Sequence, residues 1–125
     1  MLNLDTLSIN KFSLGGALDK KEGNYESGYI SYYVENSIIK NISVRFAEFY
    51  SKGKIYVDNV IVKTNELAVP IKPNDILPLY AEIYSHFDDG VEVNYQFKEE
   101  KVLLEFSWNK CKSGLELNYI NLQFI

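Results

Sequence analysis

Apolar and polar residues alternate along several segments of this 125-residue chain, with the two-residue period of a β-strand that buries one face. The clearest segment is 91–97, where Glu92, Asn94 and Gln96 stand between apolar neighbours. Short polar clusters that favour turns separate such segments, one of them at 51–53. The same pattern predicts further strands over 2–9, 28–34, 38–46, 55–57, 60–62, 102–108 and 115–122.

A three-to-four-residue period replaces this alternation over 75–87, which predicts one helix with a single apolar stripe. Asp75 is suited to cap its N-terminus. Pro78 would lie in the first turn, where no intrahelical hydrogen bond is lost. The four-residue spacing of Leu14 and Leu18 also allows a second, short helix over about 13–22. The stripe of the longer helix consists of Ile76, Leu79, Tyr80, Ile83, Tyr84 and Phe87.

A faint internal repeat has an offset of 62 residues. The segment 28–33 matches 90–95 in its order of turn and strand, and Tyr25 matches Phe87. The two segments share the order of turns, strands and apolar positions more than they share identical residues. No candidate catalytic residue recurs at the same offset. The repeat therefore predicts two copies of one small structural unit.

These patterns together predict an α+β fold. Strands joined by short turns pair antiparallel, so we expect a mostly antiparallel β-sheet with helix packed on one face. At this length the chain is expected to form one domain, 1–125, with one shared core. Its two weakly similar β-α-β-β-β halves would be residues 1–62 and 63–125.

Composition narrows the class of protein. The chain is 46% hydrophobic and 24% charged, which is typical of a soluble globular domain, and no apolar run is long enough to span a membrane. The single cysteine, Cys111, and the lack of a signal-peptide pattern predict a cytoplasmic protein. A net charge of −4, with Arg45 as the one arginine, argues against nucleic-acid binding.

The residues available for catalysis do not form a recognised arrangement. His86, the only histidine, lies beside Asp88 and Asp89, but this segment is more typical of a helix end and turn than of a metal site. Cys111 stands between Lys110 and Lys112, which would lower its pKa, although an unreactive loop cysteine is the alternative. We therefore expect no catalytic residues, no metal and no cofactor.

A protein-binding surface is the remaining hypothesis. Adjacent strand residues face opposite sides of a sheet, so either Tyr32 or Tyr33 should point outward, as an interface anchor or as a half-covered core aromatic. Acidic residues on the 91–102 hairpin and its entry loop would form a rim, or simply a solvated hairpin. The candidate contact residues are Tyr32, Tyr33, Asp88, Asp89, Glu92, Glu99 and Glu100.

A small, acidic, tyrosine-rich chain with the strand pattern of 28–34 and 90–97, each followed by a strand that ends at Phe46 or Trp108, resembles a family of bacterial proteins. These are the immunity proteins of polymorphic and contact-dependent growth inhibition toxin systems. The two-copy layout is also similar to that of the β-lactamase inhibitory proteins. The resemblance implies that the chain binds a toxin domain and occludes its active site or substrate groove. The alternative is a small acidic secretion chaperone-like protein that binds a segment of an exported effector.

Overall fold

The chain folds into two β-sheets and one short helix, in a computed structural model that describes residues 1–46, 57–112 and 114–125. A short helix α1, Pro73–Ile76, and a 3-10 turn, Leu77–Leu79, connect the last strand of the small sheet to the second half of the large one. The strands are β1 Leu2–Asn3, β2 Ser8–Ile9, β3 Phe12–Ser13, β4 Gly23–Ser27, β5 Ile30–Glu35, β6 Ile38–Arg45, β7 Asn59–Val62, β8 Asn65–Ala68, β9 Ser85–Asp88, β10 Glu92–Glu99, β11 Val102–Cys111 and β12 Gly114–Phe124.

The larger sheet has seven strands in the order β4-β5-β6-β12-β11-β10-β9, and all neighbours pair antiparallel. Two three-stranded meanders, β4-β5-β6 and β9-β10-β11, thus lie on either side of the central strand β12. The smaller sheet has the order β3-β2-β1-β7-β8, in which only β1 and β7 run parallel. The prediction of a mostly antiparallel β fold with a helical segment is confirmed.

Both sheets contribute side chains to one hydrophobic core. In the large sheet the apolar positions of the alternating strands face inward, and Phe106 and Trp108 are fully buried. Their rings stack with centroids 6.0 Å apart, and the Trp108 indole N–H donates to the carbonyl oxygen of Ile71 at 2.8 Å. The two rings therefore form part of the core-facing side of β11. No helix of the described residues is long and apolar enough to span a membrane.

The predicted strand positions hold for β5, β6, β10, β11 and β12, with ends that differ by a few residues. The first predicted strand, 2–9, is instead the hairpin β1–β2, because its polar centre forms the turn. The predicted turn at 51–53 and most of the predicted strand at 55–57 lie outside the described residues. The sequence patterns did not predict the short strands β3, β4, β8 and β9.

The helix predicted over 75–87 is wrong in its extent. Helix α1 begins at Pro73, so Pro78 falls in the second turn, where its missing N–H and its ring prevent the α-helix from continuing. Asp75 is not the N-cap residue; its carboxylate accepts a hydrogen bond from the Lys72 N–H at 2.8 Å. Residues 85–88 form β9, which pairs with β10.

The aromatic and β-branched residues of the predicted stripe favour extended structure once the helix has ended. Only its first members are covered: Ile76 is buried, and Tyr80 stacks on Phe97 with ring centroids 4.3 Å apart. Ile83 and Tyr84 are exposed instead. The helical spacing arose here from an apolar turn followed by an edge strand.

The short helix predicted over about 13–22 is also absent. Gly15 has a φ of +82°, which lies outside the helical region and is tolerated by glycine. Ala17 instead forms an isolated antiparallel bridge with Ile38, so this segment follows the edge of β6. The half 1–62 has no helix among its described residues, and the two-halves model, 1–62 and 63–125, remains a prediction.

Candidate partner-binding surface

The outer face of the large sheet carries the polar half of the alternating pattern. One row of directly opposed residues crosses five strands, from Ser31 through Ser43, Asn121 and Glu105 to Gln96. A second row contains Arg45, Tyr119, Ser107 and Asn94. The sequence repeat did not indicate these rows, because the alternation fixes which side chains face outward but not the register between strands.

Hydrogen bonds hold the carboxylate of Glu105 at the centre of this face. The side-chain amides of Asn94 and Gln96 donate to the same oxygen, Oε2, at 2.8 and 3.2 Å. Glu92 is held similarly, because the Ser107 hydroxyl donates to its carboxylate. Both anchoring groups are covered by their neighbours: Asn94 is 1% exposed and Ser107 is fully buried. The two carboxylates therefore occupy fixed positions.

Tyr119 lies between these carboxylates. Partial burial, followed by the negative charges of Glu105 and Glu92, raises the pKa of Tyr119 to about 12. The hydroxyl consequently stays protonated at neutral pH and is available as a donor. Glu92, Asn94, Glu105, Ser107 and Tyr119 thus form one connected polar group, which we call the outer-face cluster.

Tyr33 is the outward member of the predicted tyrosine pair. It lies on the outer face opposite Asn24 and Asn41, and it is partly exposed. Partial burial and the charges of Glu22 and Glu35 raise the pKa of Tyr33. Its row meets β12 at Gln123, four residues beyond Tyr119, so both tyrosines fit within one interface of ordinary size.

Tyr32 faces the core and is not a contact residue. It is 3% exposed, and its ring lies 4.6 Å from that of Phe12. Its hydroxyl accepts a hydrogen bond from the Lys20 ammonium group at 2.9 Å. Tyr32 therefore stabilises the fold, and the predicted choice between the two tyrosines is decided in favour of Tyr33 as the outward residue.

Asp88 and Asp89 shape the turn between β9 and β10. The Asp89 carboxylate accepts from the N–H groups of Val91 and Glu92 at 2.9 and 2.7 Å, and these bonds lower its pKa. Asp88 forms an ion pair with Lys110 at 2.7 Å, and its hydrogen bond from that ammonium group lowers its pKa as well. Both acids lie at the same end of the large sheet as Glu92, and Asp88 is on its inner side opposite Val93.

Glu99 and Glu100 lie at the opposite end of β10. Seven residue steps separate Glu92 from Glu99, which is roughly 23 Å of strand. Glu99 forms an ion pair with Lys63 at 2.5 Å, and both glutamates border a cleft of about 290 Å³ next to Tyr80. The predicted acidic residues thus form two separate groups rather than one rim.

The two candidate reactive groups lie apart from the outer-face cluster. The His86 ring faces the inner side of the sheet and stacks on Tyr95, with ring centroids 4.3 Å apart. Cys111 is exposed, and partial burial together with the charge of Glu116 raises its pKa. The predicted lowering of the Cys111 pKa by the adjacent lysines is therefore wrong, since Glu116 acts in the opposite direction.

Comparisons of this chain with protein families, with curated proteins and with solved structures find no match.

Proposed function

We propose that this protein is an immunity protein that binds a cognate bacterial toxin domain and occludes its active site or substrate groove. The observation that carries the proposal is the outer face of the large sheet, where Tyr33 and Tyr119 accompany the fixed carboxylates of Glu92 and Glu105. Tyrosine is enriched at interface hot spots because it combines a large apolar ring with a hydroxyl.

The preorganised carboxylates support binding of a folded partner. Glu105 and Glu92 are held by Asn94, Gln96 and Ser107 before any partner arrives, so little side-chain entropy would be lost on binding. A polar sheet face with fixed side chains suits a structured surface better than a flexible apolar segment. In this proposal the protein acts by binding alone, without a cofactor, metal or nucleic acid.

Charge supports a basic partner. The chain carries a net charge of −4, and Glu92 and Glu105 face outward, with the turn acid Asp89 next to Glu92. A negative surface accelerates encounter with a positive one, and the effect weakens as salt screens the charges. Toxin domains that act on nucleic acids are basic for the same reason, and such a domain is the partner that we propose in the bacterial cytoplasm.

Two measurements test the proposal with the folded toxin domain encoded next to this gene. Coexpression of the wild-type chain should restore growth of cells that produce the toxin domain, and surface plasmon resonance should give a 1:1 ratio of the two chains. Tyr33→Ala should speed dissociation at least tenfold, since a central tyrosine contributes about 2 kcal/mol at a hot spot.

A charge variant with a matched control separates the electrostatic acceleration of association from direct contacts with the toxin domain. Glu105→Gln keeps the acceptor for Asn94 and Gln96 while it removes the charge, so it should slow association and flatten its salt dependence. Glu66→Gln on β8 removes one exposed charge from the other sheet and should leave association almost unchanged. Failure of the wild type to bind any folded domain, combined with binding of an unfolded effector segment, would favour the secretion chaperone instead.

A further inference from the structure

Strand β9 is an open edge of the large sheet. All four of its residues, Ser85–Asp88, are exposed, and β10 is the only strand of the described residues that pairs with it. Natural proteins protect such edges with proline, bulges or inward charges, because an unpaired strand accepts another strand readily. Strand β9 contains no proline, and its register with β10 is regular over Ser85–Asp88, where the carboxylate of Asp88, paired with Lys110, is the one inward charge.

Large apolar side chains are exposed around this edge. Ile83, Tyr84, Phe87 and Val91 are 50, 56, 44 and 68% exposed. The other exposed large hydrophobic residues of the described chain are at its two ends, so these four form its one internal group. We call Ile83, Tyr84, Phe87 and Val91 the edge patch. Exposed apolar residues that cluster in this way mark interaction sites.

The pairing with β10 determines which backbone groups are available. The Asp89 N–H donates to the carbonyl oxygen of Glu92 at 3.2 Å, and hydrogen-bonded pairs alternate along an antiparallel ladder. Phe87 and Ser85 therefore direct their N–H and C=O groups toward β10. His86 and Asp88 direct theirs toward the open edge, where a new strand can pair with them.

We infer that a second copy of this chain pairs with β9 and joins the two large sheets into one. The two β9 strands run antiparallel, and His86 of each copy exchanges backbone hydrogen bonds with Asp88 of the other. This register is the only one that places both free residues opposite each other, and its twofold axis passes beside Phe87. Ser85 then lies opposite Asp89 of the second copy.

The side chains favour the same chain over a foreign strand because this register is complementary to itself. Phe87 meets Phe87 of the second copy on the outer face, so the two exposed rings cover each other. On the inner face, His86 lies opposite Asp88, whose carboxylate also pairs with Lys110 of its own copy. Apolar residues thus contact apolar residues, and the acidic turn residues of the two copies stay apart.

Analytical ultracentrifugation over a range of protein concentrations tests the inference. The wild type should change from monomer to dimer as the concentration rises. Phe87→Lys places two like charges at the twofold axis and should abolish the dimer, whereas Phe124→Lys, a matched change of another exposed phenylalanine, should leave it intact. A wild type that stays monomeric at every concentration would overturn the inference, as would a dimer that persists in folded Phe87→Lys.

Disulfide trapping tests the register with the full chain in a Cys111→Ser background. Phe87 occupies a pair without backbone hydrogen bonds, whose short Cα separation suits a disulfide. Phe87→Cys should therefore form a covalent dimer under mild oxidation, and Ser85→Cys, two residues away on the same face, should not. Equal crosslinking at both positions, or crosslinking at position 85 alone, would show that this register is wrong.

Discussion

Strands β4 and β9 occupy equivalent places at the two edges of the large sheet, but only β4 packs its central aromatic side chain against the core. Tyr25 of β4 turns inward, stacks on Tyr32 at 5.5 Å and donates its hydroxyl to the Lys21 carbonyl oxygen at 2.6 Å. Lys20 covers its ring at 4.5 Å. In β9, Phe87 points outward and remains 44% exposed.

The difference arises from the strand register and not from the residue type, since Tyr25 and Phe87 correspond in the 62-residue repeat. In the first meander Tyr32 lies opposite Ile42. Its counterpart Asn94 lies opposite Ser107 rather than Leu104, a shift of three residues. An odd shift moves every side chain of a strand to the other face. Similar sequence patterns have therefore produced one edge strand with a packed aromatic residue and one with an exposed aromatic residue.

The largest expected effect is in the core behind the open edge. Trp108→Ala removes a fully buried ring and its hydrogen bond to Ile71, and we expect a loss of ~3–5 kcal/mol in the free energy of unfolding. Trp108→Phe keeps a ring and should cost less. Chemical denaturation measures both variants. A loss below about 1 kcal/mol for Trp108→Ala would show that this meander does not depend on its aromatic core.

The two edges should respond differently to the same change. Tyr25→Ala removes a packed ring and a hydrogen bond, so we expect a loss of about 2 kcal/mol in the free energy of unfolding. Phe87→Ala, measured at a concentration where the chain is monomeric, should stay within about 0.5 kcal/mol of the wild type. Equal losses in the two variants would remove the distinction between a packed aromatic residue on β4 and an exposed one on β9.

A smaller effect concerns pH and the outer-face cluster. The pKa of Tyr119 is about 12 in the folded protein, above the value near 10 of an unfolded chain, so the neutral form is favoured by folding. Its contribution to stability is present below pH 10 and is lost as pH rises from about 10 to about 12. Tyr119→Phe should reduce this alkaline loss in thermal melts, without abolishing it, because burial also raises the pKa of Tyr80. An unchanged pH profile would contradict the placement of Tyr119 between Glu92 and Glu105.

The smallest effect is expected at the β9–β10 turn in acid. The pKa of Asp89 is lowered by two backbone hydrogen bonds, so its contribution is present above the unfolded value and is lost as pH falls through the folded one. Asp89→Asn keeps an acceptor oxygen for those bonds and should make hydrogen exchange in β9 less sensitive to acid. The same acid response in both proteins would mean that the carboxylate charge does not stabilise the turn.

The sequence predicts the long strands well because each buries one face, and this requirement is visible as alternation around Ile42, Tyr95 and Phe106. The sequence pattern fails at 75–87, because the helix begins at Pro73 and not at Asp75. This start places Pro78 in the second turn, where proline ends an α-helix. Of the candidate contact residues, Tyr33 and Glu92 reach the outer face. Glu105, Ser107 and Tyr119 could not be found from the sequence, since they meet only through the register of three strands.

Residue-resolved hydrogen exchange at several protein concentrations tests the contrast between the two edges most directly. At low concentration the amides of His86 and Asp88 should exchange rapidly, because both point to the open edge. At high concentration they should become protected, while the amides of β4 remain unchanged. Amides of His86 and Asp88 that are already protected in the monomer would contradict the account, and so would a rise in protection at β4 instead of β9.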